Sequence, residues 1–229
     1  MHEISLFGQI PLSRHEQVLN ILTGLSAMQP RPVYEKHSLY MPKPSTNAID
    51  TPSQKVQKKP TNTQPIYTHI ITSFSSADHG KTLIPQGRKV RLAETPEPET
   101  KAFILRRVDE SDVTEDDLNK FSDLSKYSHV LEYYVQGQRW SCRDIDISVY
   151  RHVLPKSNEQ KEDLSTLDDA RLLDPSGAFV VEATVRIDDR TKPALVKTAT
   201  EELNWFRNEM KGAIDMRVPE RLSLDTRVR

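Results

Sequence analysis

Only seven glycines and one cysteine occur among the 229 residues. The glycines are scattered, at Gly8, Gly24, Gly80, Gly87, Gly137, Gly177 and Gly212, and neither GxGxxG nor GxxxxGKS/T can be drawn through them. Such loops need clustered glycine so that backbone N–H groups can come close to a phosphate. The nucleotide-cradling enzyme classes therefore lose their main support. A lone thiol, Cys142, can neither close an internal disulfide nor supply a multi-cysteine zinc site, which fits a reducing compartment. No apolar run reaches the ~18 residues that a membrane-spanning helix needs. The opening MHEISLFGQIP lacks a basic stretch followed by a long apolar one. The expectation is a soluble protein, neither secreted nor membrane-bound. Charge of one sign is missing too: 32 Lys and Arg stand against 33 Asp and Glu, for a net charge of -1. That balance gives no overall pull toward phosphate backbones, so direct nucleic-acid binding is not expected.

What is present is a run of strand signals bracketed by two helices. Ile4 to Ile10 reads as a strand. Ser13-Arg14-His15-Glu16 matches a capping box, so a helix is expected from Ser13, with Val18, Ile21, Leu22 and Leu25 on its apolar face. Further strands are expected at Val33 to Met41, Ile66 to Phe74, Lys89 to Leu92 and Ala102 to Asp109. Asp112 to Ser125 reads as a short acidic helix or turn. Tyr127 to Trp140 and Asp144 to Leu154 form a long hairpin, in which Ile145, Ile147, Val149 and Val153 alternate with Asp144, Asp146, Ser148 and His152. Gly177 to Asp188 is another long strand. Pro193 then opens a helix whose stripe is Val196, Ala199, Leu203, Phe206, Met210 and Ile214. The fold class is α+β, mostly antiparallel β, with a curled sheet or β-barrel flanked by an N-terminal helix and a long C-terminal helix. The alternating Ile and Val face is expected to fill the barrel. A mean hydropathy of -0.62 indicates polar segments outside the core. The chain reads as one domain, 1–229, with flexible insertions at 42–65, 75–101 and 155–175.

Candidate chemical motifs are few. Glu97-Pro98-Glu99-Thr100-Lys101 matches ExExK, an acid-alternating pattern able to hold a divalent metal, but Pro98 removes a ladder N–H from any strand there. Asp144, Asp146 and Ser148 could share one strand face that holds a divalent cation, about 7 Å apart by strand rise, but a solvated face paired with residues such as Arg139 is the preferred reading. His129 and His152 lack a third ligand for zinc. Cys142 has no placed base, and Lys58-Lys59-Pro60 is too short for a nuclear signal. No catalytic, cofactor-binding or metal residue is assigned, and no cofactor is expected. Tyr133, Tyr134, Trp140 and Trp205 concentrate aromatic area and are the candidate partner-binding residues.

The segment Ile4-Ser5-Leu6-Phe7-Gly8-Gln9-Ile10-Pro11, the helix around Arg14 to Leu25, and His37 to Pro42 resemble the opening of the Mediator subunit 18 family. Tyr134-Val135-Gln136-Gly137 and Val149-Tyr150-Arg151-His152-Val153-Leu154-Pro155 resemble its central strands, and the closing strand and helix extend the likeness. Residues 1–42 and 103–215 are covered. The resemblance implies a triphosphate-tunnel-like barrel, similar in fold to RNA triphosphatases but not an enzyme. It implies a nuclear scaffold in the Mediator head module that couples regulators to RNA polymerase II. The partners it implies are Mediator subunit 20 as a heterodimer, the C-terminal helix of Mediator subunit 8, other head-module subunits and RNA polymerase II itself. The alternative is a metal-dependent triphosphatase of the tunnel class, resting on Glu97, Glu99 and Lys101.

Overall fold

The computed structural model describes residues 1–43, 65–77, 82–98, 102–114, 123, 126–154 and 171–228. The strands are β1 (His2–Ile10), β2 (Arg31–Pro42), β3 (Thr68–Ala77), β4 (Thr82–Ala93), β5 (Ile104–Asp112), β6 (Tyr127–Cys142), β7 (Ile145–Leu154), β8 (Arg171–Leu172) and β9 (Phe179–Ile187). Helices α1 (His15–Ser26) and α2 (Pro193–Glu209) follow β1 and β9. The sheet order is β6-β2-β3-β4-β5-β1-β9-β7-β8, and a β6–β7 pairing joins its two ends. Eight antiparallel strands thus close into a barrel, with the two-residue β8 added beside β7. Closure removes the exposed edges that an open sheet of this size would present.

Strand register decides which residues face inward, because direct partners point to the same side. Ile4, Leu6 and Ile10 of β1 stand opposite Val185, Ala183 and Phe179 of β9, and Ile145, Ile147 and Val149 of β7 stand opposite Val185, Ala183 and Val181. These side chains form one buried cluster with Val18 and Leu22 of α1 and Ala199, Leu203 and Phe206 of α2. The apolar face therefore lies on the outside of the barrel, beneath the helices, and not in its interior as the alternation alone suggested. Alternation identifies a buried face without saying what buries it, and here two amphipathic helices do so.

Several local expectations change. Ser13 does not cap α1: residues Leu12–Arg14 form a 3-10 turn, Arg14 N–H donates to the Pro11 carbonyl at 2.9 Å, and α1 begins at His15 without a side-chain cap. The insertion expected at 75–101 contains β4, which pairs with both β3 and β5. A shift in register between Ser73 and Phe74 places Pro85 opposite Phe74, so the strand tolerates its proline at a bulge. Arg171 and Leu172, expected within the insertion at 155–175, pair with β7. Residues 44–64 and 155–170, and most of the acidic helix expected at 112–125, lie outside the described residues. Asp144 sits in the turn before β7, so it does not share a strand face with Asp146.

The β6–β7 pairing is close at Gly137. A Cβ there would lie 2.1 Å from the Val149 carbonyl oxygen and 2.7 Å from the Tyr150 Cα, both backbone atoms that cannot rotate away. Gly137→Ala is expected to destabilise the fold by at least the ~1–3 kcal/mol typical of overpacking, read as a lower urea midpoint. An unchanged midpoint would contradict this closure geometry.

Candidate functional site

The inward face carries charge. Glu3, on β1, is only 2% exposed and stands opposite Arg106 of β5 and Arg186 of β9. Arg91 on β4 donates to Glu3 at 2.6 Å, Arg106 lies 3.3 Å from the same carboxylate and Arg186 3.3 Å. Arg91 also donates to Glu110, its cross-strand partner, and Arg186 lies 3.6 Å from Glu110. Glu182 accepts from the Tyr150 hydroxyl at 3.2 Å, and the Ser5 and Thr184 hydroxyls share a hydrogen bond of 2.8 Å. Burial by itself would raise the Glu3 carboxyl, but the guanidinium groups of Arg91, Arg106 and Arg186 outweigh it and hold the group below its ordinary value. Burial pushes the Tyr150 phenol well up, and Glu182 adds to the shift. The inward carboxylates of Glu3 and Glu110 are thus neutralised by arginines from neighbouring strands.

A ring cluster continues the inner face. His37 stacks on Tyr133 with centroids 5.0 Å apart, and its Nε2 is hydrogen-bonded to Glu35 at 3.1 Å. His152 meets Tyr133 and Tyr150 edge-on, each at 5.3 Å. His69 is pushed down to about 4, first by burial and then by the positive field of His37, Arg91 and Arg106. His152 is lowered by burial and by His37. Burial would raise the Glu35 carboxyl, but the His37 hydrogen bond and Arg139 bring it below its usual value. Among the described residues no group of three or more His, Cys, Asp or Glu side chains is placed to hold a metal ion.

The residues singled out in the sequence are dispersed. Trp140 is 1% exposed and belongs to the cluster under the helices, its Nε1 donating to Thr23 Oγ1 at 3.2 Å. Tyr133 faces inward against His37, whereas Tyr134, the next residue on β6, points outward. Trp205 is half-buried on α2, with the Arg143 guanidinium 3.7 Å above its ring. Arg143 takes a left-handed backbone conformation (φ 53) in the β6–β7 turn, which directs it toward Trp205 and Glu202. His129 packs edge-on against Tyr40, well along β6 from Val135, the partner of His152, so the two histidines do not meet. Cys142 is buried, its thiol raised by that burial, and it faces the Leu25 carbonyl. Glu97 lies in the segment after β4, its N–H on the Leu105 carbonyl and its carboxylate on Arg190, while Glu99 and Lys101 lie outside the described residues. Sequence reasoning missed the Glu3 network. Its only local signals were Glu3 and Ser5 alternating with Ile4 and Leu6, and arginines set within β-branched runs at Arg106 and Arg186.

Two outcomes follow for the interior. Glu3→Gln leaves three guanidinium groups short of a counter-charge and is expected to cost about 3 kcal/mol, the scale of a broken buried pair, in chemical unfolding. A cost near zero would mean that the network holds little. The lowered His69 pKa means that the unfolded chain binds a proton which the folded chain refuses between pH 6.5 and about 4, and the lowered His152 pKa acts in the same direction below pH 6.5. The His69 contribution is intact above pH 6.5 and is lost as pH falls through that window, at up to about 1.4 kcal/mol per pH unit. The lowered Glu3 and Glu35 carboxyls act in the same direction below pH 4.5. Unfolding midpoints between pH 7 and pH 5 should fall, and His69→Gln should flatten the slope.

A closed antiparallel barrel with its helices on one side and its interior carboxylates neutralised can be set beside known proteins. Proteins named Mediator of RNA polymerase II transcription subunit 18 from Aspergillus fumigatus and Yarrowia lipolytica are 28% and 22% identical to this chain, over the full length of both sequences in each case. A chain in the structure of the Schizosaccharomyces pombe Mediator head module superposes with a TM-score of 0.71, covering 96% of this chain and 99% of that one. Its identity is 16%, so this likeness is one of fold. The family model described as Med18 protein matches residues 2–227, nearly the whole barrel and both helices, and the chain belongs to that family.

Proposed function

We propose that this chain works as a non-catalytic scaffold of the Mediator head module, in the nucleus, helping to couple regulators to RNA polymerase II transcription. The observation that carries the reading is the end-to-end likeness to proteins named as Mediator subunit 18. The interior supports it, because Glu3 and Glu110 are occupied by arginines and Glu182 by the Tyr150 hydroxyl and nearby Arg106. A tunnel enzyme instead needs carboxylates free to take a metal. The ExExK segment offers the triphosphatase alternative no support, since Glu97 lies outside the strands and pairs with Arg190.

Within the head module, the partners are a heterodimeric Mediator subunit 20 and the C-terminal helix of Mediator subunit 8. Partner contact is assigned to the barrel exterior: Trp205 on α2 keeps part of its ring accessible, and Tyr134 lies on the outward face of β6. Trp140 and Tyr133 support that surface from below, from the core and the interior respectively.

Co-expression with Mediator subunits 20 and 8 should yield a stoichiometric complex in size-exclusion chromatography. Elution of this chain alone would overturn the scaffold reading. Mn²⁺-dependent release of phosphate from a nucleoside triphosphate should stay at background, and activity abolished by Glu97→Ala with Glu99→Ala would establish the enzyme instead.

A further inference from the structure

Two arginines face one another at one mouth of the barrel. Arg31 opens β2, and Arg139 is its direct register partner on β6. Like charges placed directly opposite each other on adjacent strands oppose folding unless something compensates them. Compensation within the described residues is partial. Glu35 lies 3.6 Å from Arg139, but the same carboxylate is also hydrogen-bonded to His37. The remaining bonds go to hydroxyls: Arg139 Nε donates to Ser148 at 3.1 Å, and an Arg31 terminal nitrogen donates at 3.1 Å to Ser141, whose hydroxyl in turn donates to Asp146 at 3.2 Å and so sets that carboxylate one residue back from the guanidinium. Hydroxyls orient a guanidinium without neutralising it, and each guanidinium has five N–H donors to satisfy. The contrast with the interior is plain, since Arg91 there contacts two carboxylates.

Between these groups lies a cavity of about 210 Å³, with Arg31, Arg139 and Glu35 as its charged lining and Pro32, Val33 and Phe74 as apolar lining. Its charge is that of two guanidinium groups against one carboxylate. The cavity opens to solvent where β2 begins, so an extended chain could reach it without entering the barrel.

We propose that this mouth is a docking pocket for an acidic peptide segment of a partner protein. A carboxylate of the segment is held by Arg31 and Arg139, and an adjacent apolar side chain rests on Val33 and Phe74. Charge complementarity selects the occupant. The planar guanidinium fork suits the two oxygens of a carboxylate, and the bond is stronger for being charge-assisted. The apolar wall favours a peptide over a free inorganic anion. Nucleic acid would require a longer basic track with aromatic stacking platforms. The pocket goes beyond the Mediator reading and stands without it.

The test uses the full chain and a short fluorescein-labelled peptide in which aspartate alternates with leucine and phenylalanine, followed by fluorescence anisotropy. A control peptide carries asparagine in place of every aspartate. The aspartate peptide should bind, and the asparagine peptide should bind at least about tenfold more weakly, as loss of charge-assisted hydrogen bonds implies. Arg31→Gln should weaken binding about tenfold without lowering the unfolding midpoint, because its side-chain bond across the strands is to a hydroxyl and its removal relieves the repulsion with Arg139. Arg31→Gln with Arg139→Gln should abolish it, and Arg31→Lys should restore part of the affinity. The proposal is overturned if the parent chain does not bind, if both peptides bind equally, or if the double variant binds like the parent. Displacement of the peptide by a single-stranded oligonucleotide at equal charge concentration would also overturn it, by showing a general anion surface.

Discussion

A carboxylate that is 2% exposed, as Glu3 is, can remain ionised only if counter-charges reach it from several directions. In this barrel they come from β4, β5 and β9, which flank β1 in the sheet order β4-β5-β1-β9 although all three lie far from β1 in the sequence. The constraint works both ways. Pairing in that order brings Arg91, Arg106 and Arg186 onto one carboxylate, and that carboxylate makes tolerable three guanidinium groups which would otherwise repel one another. Because the interior of an eight-stranded barrel has room for little beyond its own side chains, the network also fills the space that an apolar core fills elsewhere.

The rest of the architecture follows from this inversion. With charges inside, the apolar residues of β1, β7 and β9 must be covered from outside, and the stripes of α1 and α2 are the cover. Val18 and Leu22 come from α1, and Ala199, Leu203 and Phe206 from α2, all at spacings of three or four residues. The hairpin turn at Arg143 ties barrel and helix together, with its guanidinium over Trp205 and beside Glu202. Among the described residues, the two helices cover one flank of the barrel wall. Such a body suits holding neighbours in position more than turning over a substrate, in agreement with its membership of the Med18 family.

Much of this was legible in the chain, and the failures have physical causes. Period-two alternation in β7 and β9 and the three-and-four stripe of α2 located their elements within a few residues, because each has one buried face. The same alternation could not say whether that face pointed into the barrel or toward a helix, and the apolar interior was misplaced for that reason. Only the second half of β4, Lys89 to Leu92, reads as a strand in the sequence, because Pro85 and Gly87 break the local preference of its first half, which becomes a strand by pairing with β3 through a bulge. Ser13 looked like a cap because its side chain and Glu16 have the right spacing, but a 3-10 turn after Pro11 moves the helix start past it. Glu3 was invisible as a site residue because every partner it has lies beyond residue 90. Long-range ion pairs leave no local pattern.

The most direct test of the interior network is a double-mutant cycle between Glu3 and Arg91, using Glu3→Gln, Arg91→Gln and the combined variant, measured by urea unfolding at neutral pH. Coupling of about 1–3 kcal/mol is expected for groups bonded within one buried network. Strictly additive effects, with no coupling, would contradict the claim that these charges hold β4, β5, β1 and β9 together as one network.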